Sequence, residues 1–80
     1  MENLFKTTSF KIASLLLAKG FKLEAIEPTP DPRRKSFVFQ DKPERTQLIT
    51  DFYNGVVEVN AKQFADSQRE LKEMLYSEPK

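Results

Sequence analysis

The chain has 80 residues, 39% apolar and 31% charged, with a formal net charge of +1. That is the composition of one small globular domain, and a chain this short buries about 60% of its unfolded surface. It has no Cys and no His. Disulfides, thiolate metal sites, Cys nucleophiles and the commonest general base are thereby excluded.

The cysteine-free composition fits a reducing cytosol, and we expect a cytoplasmic protein. The start, Met1-Glu2-Asn3-Leu4-Phe5-Lys6, carries no basic region followed by an apolar run. The longest apolar run, Leu15 to Ala18, is far short of a membrane span. Charge is mildly asymmetric: residues 1–40 carry +3 and residues 41–80 carry −2. This is weaker than the footprint of a dedicated nucleic-acid binder.

Residues 3–8 predict a short strand around Leu4 and Phe5. Thr8 or Ser9 offers an N-cap for a helix over Phe10 to Lys19, with Ile12, Ala13, Leu15 and Leu16 as its apolar stripe. Gly20 stands at C′ and Phe21 at C″, where a Schellman end brings Phe21 onto Leu16. Phe21-Lys22-Leu23-Glu24-Ala25 alternates with period two and predicts a strand to about Glu27. Three prolines among Pro28-Thr29-Pro30-Asp31-Pro32 end it. After Arg33 and Arg34, a second alternating strand covers Lys35 to Gln40.

Asp41, Pro43 and Glu44 have capping-box spacing, which predicts a helix from there to Asn54 that buries Leu48, Ile49, Phe52 and Tyr53 and ends at Gly55. Val56 to Val59 reads as extended. Asn60 then caps a last helix with Gln63 at N3, and Val59 and Phe64 occupy the hydrophobic-staple positions. This helix runs to about Tyr76, with Ala61, Phe64, Ala65, Gln68, Leu71 and Leu75 along one stripe. The order is β-α-β-β-α-α. Ser36 to Phe39 is the most apolar stretch and suits a sheet centre. We expect an α+β fold: a three-stranded antiparallel sheet, order 2-3-1, whose Phe21, Leu23, Phe37 and Phe39 face is covered by three helices. Residues 1–76 make one domain and residues 77–80 a frayed tail.

Leu15-Leu16-Leu17-Ala18-Lys19-Gly20-Phe21-Lys22-Leu23 resembles a recurring block in a family of small uncharacterised bacterial and phage proteins. So do Phe37-Val38-Phe39-Gln40-Asp41, the Asn54-Gly55 pair, and Val59-Asn60-Ala61-Lys62-Gln63-Phe64 leading to Arg69-Glu70-Leu71-Lys72 and Tyr76. The resemblance spans nearly the whole chain. It implies a domain of unknown function with the β-α-β-β-α-α order and a prokaryotic or phage origin, and it brings no catalytic residues.

No enzyme site emerges. Asp41 and Glu44 are paired carboxylates, but capping accounts for both. Glu70 and Glu73 sit among Arg69 and Lys72 on a polar helix side, and Gly20 and Gly55 are isolated, so no phosphate loop exists. We expect a non-enzymatic accessory module with no cofactor and no metal, acting through protein–protein contact or self-association. Its candidate contact residues are Val56, Val57 and Val59, an apolar extended piece suited to adding to a sheet edge or meeting a second copy, and Met74, which with Leu75 and Tyr76 exceeds what one helix stripe needs. The alternative is weak single-stranded nucleic-acid binding through a basic hairpin tip. There Arg33, Arg34 and Lys35 would hold phosphates and Phe37 and Phe39 would stack on bases. The segment partly matches the RNA-recognition-motif strand at Lys35, Phe37 and Phe39. We favour a core position for both phenylalanines, since so small a chain has little else to fill that face.

Overall fold

A strand with three consecutive bulky apolar residues, Phe37, Val38 and Phe39, points apolar side chains to both faces and fits best at the centre of a sheet. Lys35–Gln40 is that strand, and it lies at the centre. The computed structural model describes residues 3–76. Its elements are β1 (Leu4–Thr7), α1 (Phe10–Ala18), β2 (Leu23–Pro28), β3 (Lys35–Gln40), α2 (Arg45–Tyr53) and α3 (Ala61–Tyr76). β3 pairs antiparallel with β1 on one side and β2 on the other. The α+β class, the element order and the 2-3-1 sheet agree with the sequence reading. The expected fraying of residues 77–80 lies outside the described residues.

One face of the sheet carries the core. Phe37 and Phe39 are 3% and 0% exposed, in one cluster with Ile12, Ala13, Leu16, Phe21 and Leu71. α1 and α3 pack against each other. α3 buries Leu71 and Ser67 fully and Phe64, Gln68 and Leu75 in part, while Ala61 and Ala65 of the anticipated stripe remain exposed. The packing face is thus rotated toward Ser67. In α1 Ser14, also buried, returns its hydroxyl to the Phe10 carbonyl at 2.8 Å.

The opposite face is polar at its rim. Lys6 and Ala25 flank Val38, which is buried there, and the Lys6–Glu27 ion pair (3.3 Å) spans β3. The lysine stem covers apolar surface while its ammonium stays wet.

β2 departs from strict alternation. Leu23 pairs with Phe39, but Ala25 pairs with Val38 and Ile26 with Phe37, so Glu24 is an extra residue in a bulge. Alternation from Phe21 and Leu23 would have turned Ala25 inward. The bulge turns Ile26 onto the core and leaves Ala25 exposed. β2 also continues to Pro28, opposite Lys35. Proline is tolerated at the end of an edge strand, where no ladder donor is needed.

The helix ends follow two rules and break one. At the end of α1, the Phe21 N–H donates to the Leu16 carbonyl (2.9 Å) and the Gly20 N–H to that of Leu17 (3.1 Å), with Gly20 at φ +89°. This is the Schellman end, and its Phe21–Leu16 contact forms inside the core. The Asn60 carboxamide oxygen accepts from the Gln63 N–H at 3.0 Å, the expected cap of α3.

The capping box at Asp41 does not form. α2 begins at Arg45, and neither Asp41 nor Glu44 caps its N–H groups. The Asp41 carboxylate instead takes the Arg45 guanidinium, Nε at 3.0 Å and Nη2 at 3.2 Å. Two bonds to a cationic guanidinium, with the Lys42 N–H as a third partner, occupy the carboxylate in place of the cap, and Pro43 is left in a turn before the helix. α2 buries no residue completely. It rests on the core through half-buried Leu48, Ile49 and Phe52, and Tyr53, expected inside, is exposed.

Candidate interaction groove

The Ser9 hydroxyl accepts the Ile12 N–H at 3.1 Å, which makes Phe10 the first residue of α1. Phe10 meets Phe37 edge-on, ring centres 6.3 Å apart, so one flank of its ring is core and the other is open. Asn60 fixes the start of α3, and the staple residues on either side of it, Val59 and Phe64, come to the same place. Phe52, one residue from the end of α2, closes the third side. Together with Ala61, Lys11 and Gln68 these residues line an open, mostly apolar groove of about 570 Å³.

The connection between α2 and α3 forms the groove's outer wall. It leaves α2 by a second Schellman turn: the Val56 N–H donates to the Asp51 carbonyl (3.0 Å) and the Gly55 N–H to that of Phe52 (3.2 Å), with Gly55 at φ +76°. Here the C″ residue has no apolar partner, because Asp51 occupies the position that Leu16 fills in α1. Val56 is therefore 67% exposed. Residues 56–60 pair with no strand. The Lys19 ammonium holds them by donating to the Glu58 carbonyl at 2.9 Å.

The four candidate contact residues do not form one surface. Val59 lines the groove, Val57 is half-buried beside it, and Val56 stands out on the connection. Met74 lies apart, in a shallower hollow of about 280 Å³ against Leu23, Glu24, Ala25 and Ile26. The sequence reading missed the three aromatics of the groove, having assigned Phe52 and Phe64 to core stripes. The available signal was the staple itself, since Val59 and Phe64 must meet at the outer end of α3.

The basic hairpin tip is held locally. The Asp31 carboxylate accepts the Arg33 N–H at 2.9 Å and lies 3.8 Å from the Arg33 guanidinium. Thr29 donates to the Arg34 carbonyl at 3.1 Å, and Arg34 reaches across to the Thr8 hydroxyl at 3.2 Å. Lys35 is half-buried at the start of β3. Phe37 and Phe39 are core, so they present no platform for bases.

The strongest electrostatic feature lies away from the groove. The Arg45 guanidinium beside Asp41 holds that carboxyl below its usual range, helped by the Lys42 N–H and opposed by desolvation. No group of three or more acidic side chains is placed to hold a metal ion among the described residues, and no described helix is long and apolar enough to cross a membrane.

These features define a small α+β domain with an apolar groove at one end of its helical layer. The chain belongs to the family described as domain of unknown function (DUF5659), whose model matches residues 2–77. No curated protein and no solved structure matches it.

Proposed function

We propose that the protein is a non-enzymatic, cofactor-free binding module of the cytoplasm that engages another polypeptide through the groove between α1, α2 and α3. The observation that carries this reading is three half-buried aromatic rings, Phe10, Phe52 and Phe64, that line one open groove together with Val59. In a chain that must use most of its apolar residues for its own core, leaving three rings at one open site costs stability and calls for a compensating contact. Val56 and Tyr53 extend the apolar surface beside it. The nucleic-acid alternative retains only Arg33, Arg34 and Lys35, since its stacking residues are buried, and so few cations bind phosphate weakly.

A photo-crosslinking amino acid at position 59 tests the reading, with position 36 on the other face of the sheet as control. Irradiation in cells is expected to give a discrete polypeptide adduct, with a partner or a second copy, from position 59 alone. Equal adducts from both positions, or none from position 59, overturn it.

A further inference from the structure

We infer that the groove's occupant is an acidic segment, a partner stretch whose apolar side chains lie on Phe10, Phe52 and Phe64 while its carboxylates meet Lys11 and the first turns of α1 and α3. This deepens the reading above and rests on it.

The argument is one of charge. Lys11 is the only charged residue lining the groove, and among the described residues its ammonium makes no ion pair or hydrogen bond. Two helices begin at the groove, α1 at Phe10 and α3 at Ala61, and neither has an acidic residue in its first turn. Helix starts carry positive partial charge on N–H groups, and acidic first-turn residues ordinarily offset it. Ser9 and Asn60 satisfy one N–H each and bring no charge.

The opposing negative end, that of α2, is muted. The carbonyls of Thr50, Asp51 and Phe52 accept from the N–H groups of Asn54, Val56 and Gly55. Asp51, Glu58 and Asp66, the carboxylates nearest in sequence to its lining, do not line the groove; Asp51 accepts from the Gln47 carboxamide at 2.8 Å and Asp66 is engaged by Lys62 and Arg69. An apolar floor under a net positive rim favours anchors flanked by Asp or Glu and disfavours a basic segment, which would meet uncompensated like charge.

The test is selection from a display library of random 15-residue peptides on the whole protein, followed by fluorescence anisotropy of labelled winners. Selected peptides are expected to pair two or three Leu, Ile or Phe anchors with net negative charge. Lys11→Glu should weaken them at least tenfold, and raising salt from 50 to 500 mM should weaken them further. Lys11 is exposed, and the folding of that variant is checked by circular dichroism. Neutral or basic winners that Phe64→Ala abolishes but Lys11→Glu leaves unchanged overturn the acidic assignment while the groove reading stands. No selection above background, or winners insensitive to both substitutions, overturns both.

Discussion

Arg45 lies between the Asp41 carboxylate, 3.0 Å from its Nε, and the ring of Phe5, 3.9 Å from its guanidinium carbon. One side chain thus joins the first turn of α2, the end of β3 and the edge strand β1. Both members of the ion pair are about four-fifths buried, at 23% and 22% side-chain exposure. Lys42 makes a parallel contact, its ammonium 4.8 Å from the centre of the Phe21 ring. α2 buries no residue completely, so Arg45 adds to the seat that Leu48, Ile49 and Phe52 give it, and Lys42 braces the turn before it.

The Asp41 pair makes stability depend on acid. Its folded pKa is depressed, chiefly by the Arg45 hydrogen bonds. A depressed carboxyl contributes stability that is fully present above the unfolded value, about 3.9, and is lost as pH falls through the lower folded value. Asp41→Asn should therefore lower the urea midpoint at pH 7 by an amount worth roughly 1 kcal/mol. The difference from wild type should shrink as pH falls from about 3.9 through the lower folded pKa, below which both proteins carry a neutral side chain. A difference independent of pH would assign the loss to packing.

Two caps that look alike in the sequence should respond differently. Asn60→Ala removes a formed cap and is expected to cost about 1 kcal/mol. Glu44→Ala removes a side chain with no cap bond and should stay within about 0.5 kcal/mol. Chemical denaturation of the two variants decides it, and equal losses would mean that the capping box forms after all.

The contrast shows what was legible in the sequence. Elements whose signals are local and uncontested came through: the glycine ends at Gly20 and Gly55, the Asn60 cap, and the apolar centre of β3. The Asp41 cap failed because its spacing pattern ignores Arg45, one turn further on, which offers the same carboxylate a charged partner. The groove was only half legible. Val59 and Phe64 are marked by the staple, but whether Phe10 and Phe52 close over them depends on how α2 settles, a tertiary matter that no local spacing encodes. The β2 bulge was invisible for the same reason, because Phe21, Leu23 and Ala25 alternate correctly as a string.

The bulge has its own consequence. With Glu24 as the extra residue, Ile26 faces the core opposite Phe37 and Ala25 faces outward opposite Val38. Ile26→Ala should cost about 1–2 kcal/mol, below the range for a fully buried isoleucine because Ile26 is only half-buried. Ala25→Ser should change stability by less than about 0.5 kcal/mol. Thermal unfolding of both would expose an error in register as the opposite order.

The last prediction separates core from contact surface on a single helix. Leu71 is wholly buried in the main cluster, two turns from Phe64, which is half-buried and faces the groove. Leu71→Ala opens a cavity in the only large core among the described residues and should cost about 2–5 kcal/mol. In an 80-residue chain with roughly 4–12 kcal/mol of total stability, that is a large share of the whole, and at the low end of the range it unfolds much of the population. Phe64→Ala exchanges a ring already half in water for open space, so less transfer free energy is lost and the groove needs no collapse. Its cost should be roughly half that of Leu71→Ala or less. Hydrogen exchange gives the finer readout: Phe64→Ala should speed exchange near Asn60 and the α3 start while the β3 amides stay protected, whereas Leu71→Ala should lower protection throughout. If Phe64→Ala proves as costly as Leu71→Ala, that ring belongs to the core, and the groove loses one of the three aromatics on which its binding role depends.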